Sequence, residues 1–598
     1  MNARRGLRIP AWLAGCVLVI ASGVGLAALA SRAALPPADF PFVNGAEPTS
    51  LDPLQATGVP EARLMRALYE GLCVLDPATL APLPGMAESW EVSPDELTYT
   101  FHVRAGSRWT NGDEVTAFDF RDGYQRLLDP REAAEYAYLL HGVRGAKAYA
   151  TEIDTNGEPR HAFETVGIRA IDARTLVVEL ERPVPWFLFL VAYHPLSPLD
   201  RRALDEARAR FPDTWRSARL RPENLVTNGP WRVLERRVDD RIRLVKNPGY
   251  WDASRVAFET IDVLAGEHLM TSLNLYLTGE AGFVNEVPAG LVPQLAGRDD
   301  WRPTPYLGSC FYRLNVTRPP LDDVRVRRAL ALTVDRAAIV RRVTKAGEPP
   351  LASFVPSAMT AVTGYVPPSF RHLDASPAAD ADAFDDAAFA RDVARARELL
   401  AEAGYGPGGR ALRTIEIHYA TQQTNKDVAE VVAHGWKRHL GVDVKLVNQE
   451  KKVSFDTQRR LDYDVSRSSW IADYPDPASF LEVFTSASEN NRTGWKDARY
   501  DELVARALQA RGTERARLYA EAESVLLEAL PIVPLYGFTT TSLVDPRLEG
   551  YHPNNVDVHF PKFWRWSAAA TPVRGSTESH DPDASGTRGR DTTGASER

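Results

Sequence analysis

The stretch Ile415–Val447, "IEIHYATQQTNKDVAEVVAHGWKRHLGVDVKLV", sets two runs of strand-like alternation around a helical run. "IEIHYA" (Ile415–Ala420) and "VDVKLV" (Val442–Val447) alternate in the manner of half-buried strands. Between them Val428, Val431, Val432, Trp436 and Leu440 recur at helical spacing and share one face. Gly441 follows, where a helix ends in left-handed backbone. A strand, a crossover helix and a second strand in this order form a right-handed, parallel unit, so the chain is of the α/β class.

The same alternation of types continues outward. "DVARARELLAEAG" (Asp392–Gly404) reads as a helix closed by glycine, and "DDVRVRRALALTVDRAAIV" (Asp322–Val340) as a helix with aspartates at its positive end. "TYTFHVRAGSRW" (Thr98–Trp109) and "TLVVELERPVPW" (Thr175–Trp186) read as strands. Pro356–Asp386 is a long, Pro- and Asp-rich surface excursion whose acidic spacing is not that of a calcium loop. The chain has 598 residues, too many for one hydrophobic core, so two or three domains are expected. Its net charge of −8 and the lack of a dense basic patch exclude a nucleic-acid partner.

Both ends differ from the body. Residues 1–30 join a basic start, "MNARRGLR", to an apolar run ending in small residues, which reads as a secretory signal cleaved near Ser31. "LAGC" (Leu13–Cys16) resembles the lipobox of bacterial lipoproteins, and the run is long enough to stay as an anchor. All three routes carry the chain out of the cytoplasm. From 568 to 598 large apolar residues are almost absent, as in a disordered tail. Beyond Cys16 the cysteines are Cys73 and Cys310, which form either one disulfide or two buried thiols.

No catalytic constellation is present. There is no H-E-x-x-H, paired C-x-x-C or G-x-S-x-G motif. His434 and His439 stand five apart and miss a common helix face, so no metal pair forms. "GYGPGG" (Gly404–Gly409) follows a helix, whereas a phosphate loop follows a strand. No cofactor is called for.

Several motifs in order carry a resemblance. These are "NGAEPTSLDP" (Asn44–Pro53), "LPGMAESWEVSPDELTYTFHVRAGSRWTNGDEVTAFDF" (Leu83–Phe120), "VTNGPWRV" (Val226–Val233), "NPGYWD" (Asn247–Asp252), "LDDVRVRRALALTVDR" (Leu321–Arg336) and "WIADYPDP" (Trp470–Pro477). Together, from Phe42 to Trp566, they resemble the extracytoplasmic oligopeptide-binding proteins of ABC importers, family 5 of the bacterial solute-binding proteins. The resemblance implies a two-lobed, hinged fold of three structural domains. Domain I combines 31–69, 190–307 and 540–567; domain II is 70–189; domain III is 308–539. It also implies a monomeric periplasmic receptor, not an enzyme, that binds short peptides and delivers them to an inner-membrane permease. Two other readings stand beside it: the same fold holding a cell-wall peptide or non-peptide solute, and an envelope hydrolase, which no motif supports.

The resemblance assigns residues. Asp473 takes the place of the aspartate that pairs with the ligand's α-ammonium in peptide-binding relatives, and Arg467 would hold it ionised in the empty receptor. The alternative is a structural Arg467–Asp473 pair. Thr57-Gly58-Val59 and Ser469-Trp470-Ile471 correspond to the edges that pair with the ligand backbone as an added strand. Trp470, Tyr138, Tyr306, Phe311 and Tyr536 would wall the side-chain pockets. Thr57 stands where relatives carry a glutamate, and Asn425 and Gln458 stand where they offer histidine and arginine to ligand C-termini. Arg459 is expected on a strand, facing away, while Lys451 replaces a tryptophan as a substitute cation. Gly308 and Ile471 occupy the positions of a disulfide found in some relatives.

Overall fold

The computed structural model describes residues 35–370, 386–406 and 409–568. The signal segment with Cys16, most of the expected tail, residues 371–385 of the acidic excursion and residues 407–408 lie outside the described residues.

The strand–helix–strand unit forms as its periodicity demands. Strand Ile415–Ala420 runs parallel to Val444–Gln449, joined by helix Gln423–Leu440. That helix buries Val428, Val432 and Trp436 and ends at Gly441, whose φ of 71° is left-handed. Helix Asp386–Glu402 packs beside it, and Gly404 follows with φ of 83°.

This unit is one end of a ten-stranded sheet. Its order is Val444–Gln449, Ile415–Ala420, Val465–Ile471, Trp301–Leu314, Ile532–Val544, Phe283–Val284, Phe40–Val43, Thr260–Leu264, Arg241–Lys246 and Trp231–Arg237. Its two longest strands, Trp301–Leu314 and Ile532–Val544, run side by side through the middle. Their pairing breaks twice: Pro305 faces Thr539 and Ser309 faces Gly537, with no paired residues between, and the register slips again between Cys310↔Tyr536 and Phe311↔Pro534. A separate antiparallel sheet, Ala87–Val92, Thr98–Val103, Thr175–Glu179 and Ile168–Ala170, lies in a unit of its own.

The sequence motifs are structural clamps. Asn228 of "VTNGPW" accepts from the Glu70 N–H at 3.1 Å and donates to the Glu70 carbonyl at 2.8 Å. Gly229 beside it packs so closely that a Cβ would sit 2.5 Å from the Leu68 carbonyl carbon. Glu70 also accepts from Trp251 of "NPGYWD" at 2.7 Å and from Lys562 at 2.8 Å, tying the motif to the end of the chain. Burial of four such polar groups is tolerable because each is paired.

Several expectations shift. The helix expected over Asp322–Val340 divides: Val324–Leu332 ends at Thr333, whose hydroxyl donates to the carbonyls of Ala329 and Leu330. Asp335 then caps a second short helix by accepting from the Ala338 N–H. The strands expected to reach Trp109 and Trp186 end at Val103 and Glu179. Cys73 and Cys310 are buried free thiols in separate cores, so the disulfide alternative is set aside. Among the described residues no helix is long and apolar enough to cross a membrane.

Gly229→Ala is expected to cost about 1–3 kcal/mol through overpacking against Leu68, read as a lower urea midpoint. Gly297→Ala, where an added methyl meets nothing within 4 Å, should leave the midpoint in place.

Candidate functional site

The site begins at an unfinished strand. Val465–Ile471 pairs along its whole length with Trp301–Leu314, from Leu314↔Val465 to Gly308↔Ile471. On its other side it meets Ile415–Ala420 at Val465 and Ser466 alone among the described residues. The Ala472 N–H donates to the Leu307 carbonyl. Antiparallel alternation then turns the N–H and C=O of Ser468 and Trp470 towards Trp301–Leu314 and those of Ser469 and Ile471 outward. Both outward residues are exposed. The neighbouring strand is kept away by Gln458, whose amide donates to the Ser466 and Ser468 hydroxyls at 2.9 and 3.1 Å. Gly308 lies directly opposite Ile471 in the register, where an added Cβ would meet Phe538 at 2.6 Å and Ile471 at 3.2 Å.

Asp473 follows this open edge. The chain leaves the strand at Ile471, and Ser479 receives it: the Ser479 hydroxyl accepts from the Asp473 N–H at 2.9 Å, and the Ser479 carbonyl accepts from Trp470 Nε1–H at 2.6 Å. Asp476 of the same motif binds Arg515 at 2.5 and 2.7 Å and caps the next turn through the Ala478 N–H. Burial pushes the Asp473 carboxyl up to about 6, opposed by a hydrogen bond from the Tyr138 hydroxyl. No cation takes part in that balance.

Arg467 is therefore not the partner of Asp473. Its guanidinium reaches the Ser469 hydroxyl at 3.3 Å and the phenol of Tyr536, while the turn at Ser479 carries the carboxylate off towards Tyr138.

Tyrosines line the space before Asp473. Tyr136 donates to the Thr57 carbonyl at 3.1 Å, and Tyr193 donates to Tyr136 at 3.1 Å. His194 beneath them is buried, which pushes its pKa down to about 3, so a neutral ring donates from Nε2 to the Ala56 carbonyl at 2.7 Å. Tyr306 is half-buried and feels the charges of both Asp473 and Asp557.

The structure brings together Asp473, Tyr138, Ser469, Trp470, Ile471, Tyr306 and, through Tyr136, Thr57. It disperses others. Thr57-Gly58-Val59 belongs to no strand of the sheet: Gly58 is the extended N-cap of helix Val59–Leu68, which has Pro60 in its first turn. Phe311 is fully buried, edge-on to Phe354 at 5.1 Å and Phe484 at 6.1 Å, so it is core and not pocket wall. Tyr536 is buried against Arg467 and Cys310. Lys451 and Arg459 open and close helix Lys451–Arg459, both exposed, and the strand expected there is absent. Asn425 is buried and donates to the Ala420 carbonyl at 2.9 Å.

Sequence reading missed the contacts that close the cleft. Trp186 stacks on Tyr474 with ring centres 4.4 Å apart and planes 2° from parallel, and Arg515 lies 5.1 Å from the same indole. Arg511 donates to the Asp95 carbonyl at 2.7 Å nearby. These contacts join the four-stranded-sheet unit to the segment that follows Asp473. Tyr474 sat inside the quoted "DYPDP", but nothing local named Trp186 as its partner.

This geometry defines a binding cleft between two lobes, and the comparisons agree. Residues 81–492 match bacterial extracellular solute-binding proteins, family 5 middle region, and the chain belongs to this family. It is 36% identical over 550 residues to the periplasmic oligopeptide-binding protein OppA of Salmonella typhimurium, covering 89% of this chain and 95% of that protein. The structure of the murein tripeptide-binding protein MppA of Escherichia coli superposes with TM-score 0.74 at 30% identity, over 89% of this chain and 99% of that one. OppA of Haemophilus influenzae, solved with the peptide RPPGFSPFR, gives 0.72 at 31% identity over 89% and 100%.

Trp186→Ala removes both the stack and the cation–π contact, together about 1–2.5 kcal/mol. Ligand affinity is expected to fall about tenfold, with a larger radius of gyration by solution scattering. An unchanged radius and affinity would show that the stack does not hold the lobes.

Proposed function

We propose that this chain is a non-catalytic receptor, acting outside the cytoplasm, that captures short peptides in the cleft and hands them to an ABC permease. The observation that carries this reading is the outward-facing pair Ser469 and Ile471 ending at Asp473. Main-chain groups on an open edge bind any peptide backbone regardless of side chains. A half-buried carboxylate at the edge's end, without a cation of its own, suits a ligand's α-ammonium. The relatives named above are described as binding proteins, which supports a receptor over an enzyme.

Closure is by rotation about the two long strands, where pairing stops between Pro305–Thr539 and Ser309–Gly537. The unpaired residues, 306–308 and 538, would serve as the hinge of the three-domain division proposed above. Ligand shifts the population through tighter binding to the closed form. Periplasmic residence rests on the relatives and on the signal-like first thirty residues.

A second reading, a cell-wall peptide, is favoured by the likeness to the murein tripeptide-binding protein and by Asn425 and Gln458, which are committed to internal bonds. Native mass spectrometry of the purified protein separates the two. A mixture of tri- to pentapeptides supports general peptide capture, and a single non-peptide mass overturns both.

Asp473→Asn should weaken trialanine binding by at least about a hundredfold, since breaking a buried pair costs about 3–5 kcal/mol. In the empty protein the carboxyl titrates near 6, and a bound ammonium lowers that value. Binding therefore expels a proton below pH 6, and affinity should fall up to about tenfold per unit as pH drops below 6. It should stay level towards pH 7.5 and fall again as the peptide amine deprotonates at about 8. Undiminished affinity in Asp473→Asn by calorimetry would make the carboxylate structural.

A further inference from the structure

The cleft holds a second unpaired charge, of opposite sign. Arg66, on helix Val59–Leu68, is about nine-tenths buried. Its guanidinium makes no hydrogen bond or ion pair to any described residue, yet its nitrogens are not among the sealed, unpartnered atoms of the interior. It therefore keeps some accessible surface, beside Tyr193 and Tyr306.

The groups facing it do not neutralise it. Asp557 is the nearby carboxylate, and both of its oxygens are taken: Oδ2 by Arg63 at 3.4 Å and Oδ1 by His559 at 3.0 Å. Burial and the two arginines keep His559 below its ordinary pKa, though Asp557 pulls the other way, so it adds no charge near pH 7. Tyr193 and Tyr306 complete the surroundings and are neutral at that pH. Two guanidiniums thus share one carboxylate, and the surplus positive charge sits on Arg66.

Asp473 and Arg66 both act on Tyr136, Tyr193 and Tyr306, so the two unpaired charges flank one tyrosine-lined space. The other cations first expected there are not available. Arg467 is engaged by Ser469 and Tyr536, and Lys451 is exposed on a helix. A buried cation without a partner is costly unless a ligand supplies the anion.

We infer that Arg66 is the anchor for a carboxylate of the bound ligand, so the cleft selects molecules carrying an ammonium at Asp473 and a carboxylate at Arg66. This rests on the reading of the cleft as a peptide site. The carboxylate is either the C-terminus of a very short peptide or an acidic side chain near the amino end.

The test is calorimetry on the mature protein with trialanine, trialanine amide and Glu-Ala-Ala amide, for wild type, Arg66→Met and Arg66→Lys. A charge-assisted hydrogen bond is worth roughly ten- to a hundredfold. Arg66→Met should lose at least about tenfold for the carboxylate-bearing probe while trialanine amide is unaffected or improved, and Arg66→Lys should recover part of the loss. A loss confined to trialanine assigns the C-terminus, and one confined to Glu-Ala-Ala amide assigns the side chain. Equal losses for all three probes, or none, would overturn the assignment of Arg66 while leaving peptide binding intact. Wild type binding none of the probes would overturn the peptide reading itself, and this inference with it. Circular dichroism melts of both variants check that they fold.

Discussion

A strand left open on one side governs this molecule. Val465–Ile471 lies inside a ten-stranded sheet, yet beyond Ser466 no strand pairs with its outer edge among the described residues, and Gln458 reaches it, donating to the Arg467 carbonyl at 3.3 Å. Buried main-chain groups must be paired, so such an edge persists only where water or a ligand completes it. Gln458 keeps it open by filling the gap with hydrogen bonds to Ser466 and Ser468, so the sheet cannot zip past that point. Recognition through the main chain follows from this arrangement, and so does tolerance of varied side chains.

Electrostatics follow the same logic of deferred pairing. Asp473 is half-buried without a cation, and Arg66 is buried without an anion, across a shared set of tyrosines. Elsewhere buried charges are held inside the fold, some by an opposite charge, as Asp476 by Arg515 or Glu70 by Lys562, and some by neutral groups, as Arg327 by the Ala529 carbonyl and Glu523 by the N–H groups of Phe354 and Val355. The contrast separates charges that hold the fold from charges that wait. Arg515 links the two roles: it secures the loop after Asp473 and lies against Trp186 of the facing unit. Closure and ligand contact are thereby coupled within one short motif.

Much of the fold was legible because its signals are local. The 415–447 unit needed nothing beyond periodicity and a terminal glycine. The motif order placed Asp473 and the edge Ser469–Ile471, and the structure keeps both facing the cleft. What failed depended on direction or distance. Arg467 has the right charge and spacing for Asp473, but the Ser479 turn sends the carboxylate the other way. Phe311 looks like any pocket aromatic until Phe354 and Phe484 arrive from distant segments. Arg459 is expected on a strand where the local sequence is amphipathic helix, and Lys451 opens that same helix. Trp186 and Arg66 gave no signal, because what matters about each is a partner, or the lack of one, that folding decides.

The central claim is that the outward amides of Ser469 and Ile471 are completed by the ligand backbone. Residue-resolved amide hydrogen exchange, with and without saturating trialanine, tests it most directly. Fast exchange is expected at both amides in the empty protein, with strong slowing on binding, while Ser468 and Trp470 are slow in both states. Equal exchange at Ser469 and Ile471 with and without a demonstrably bound peptide would contradict it.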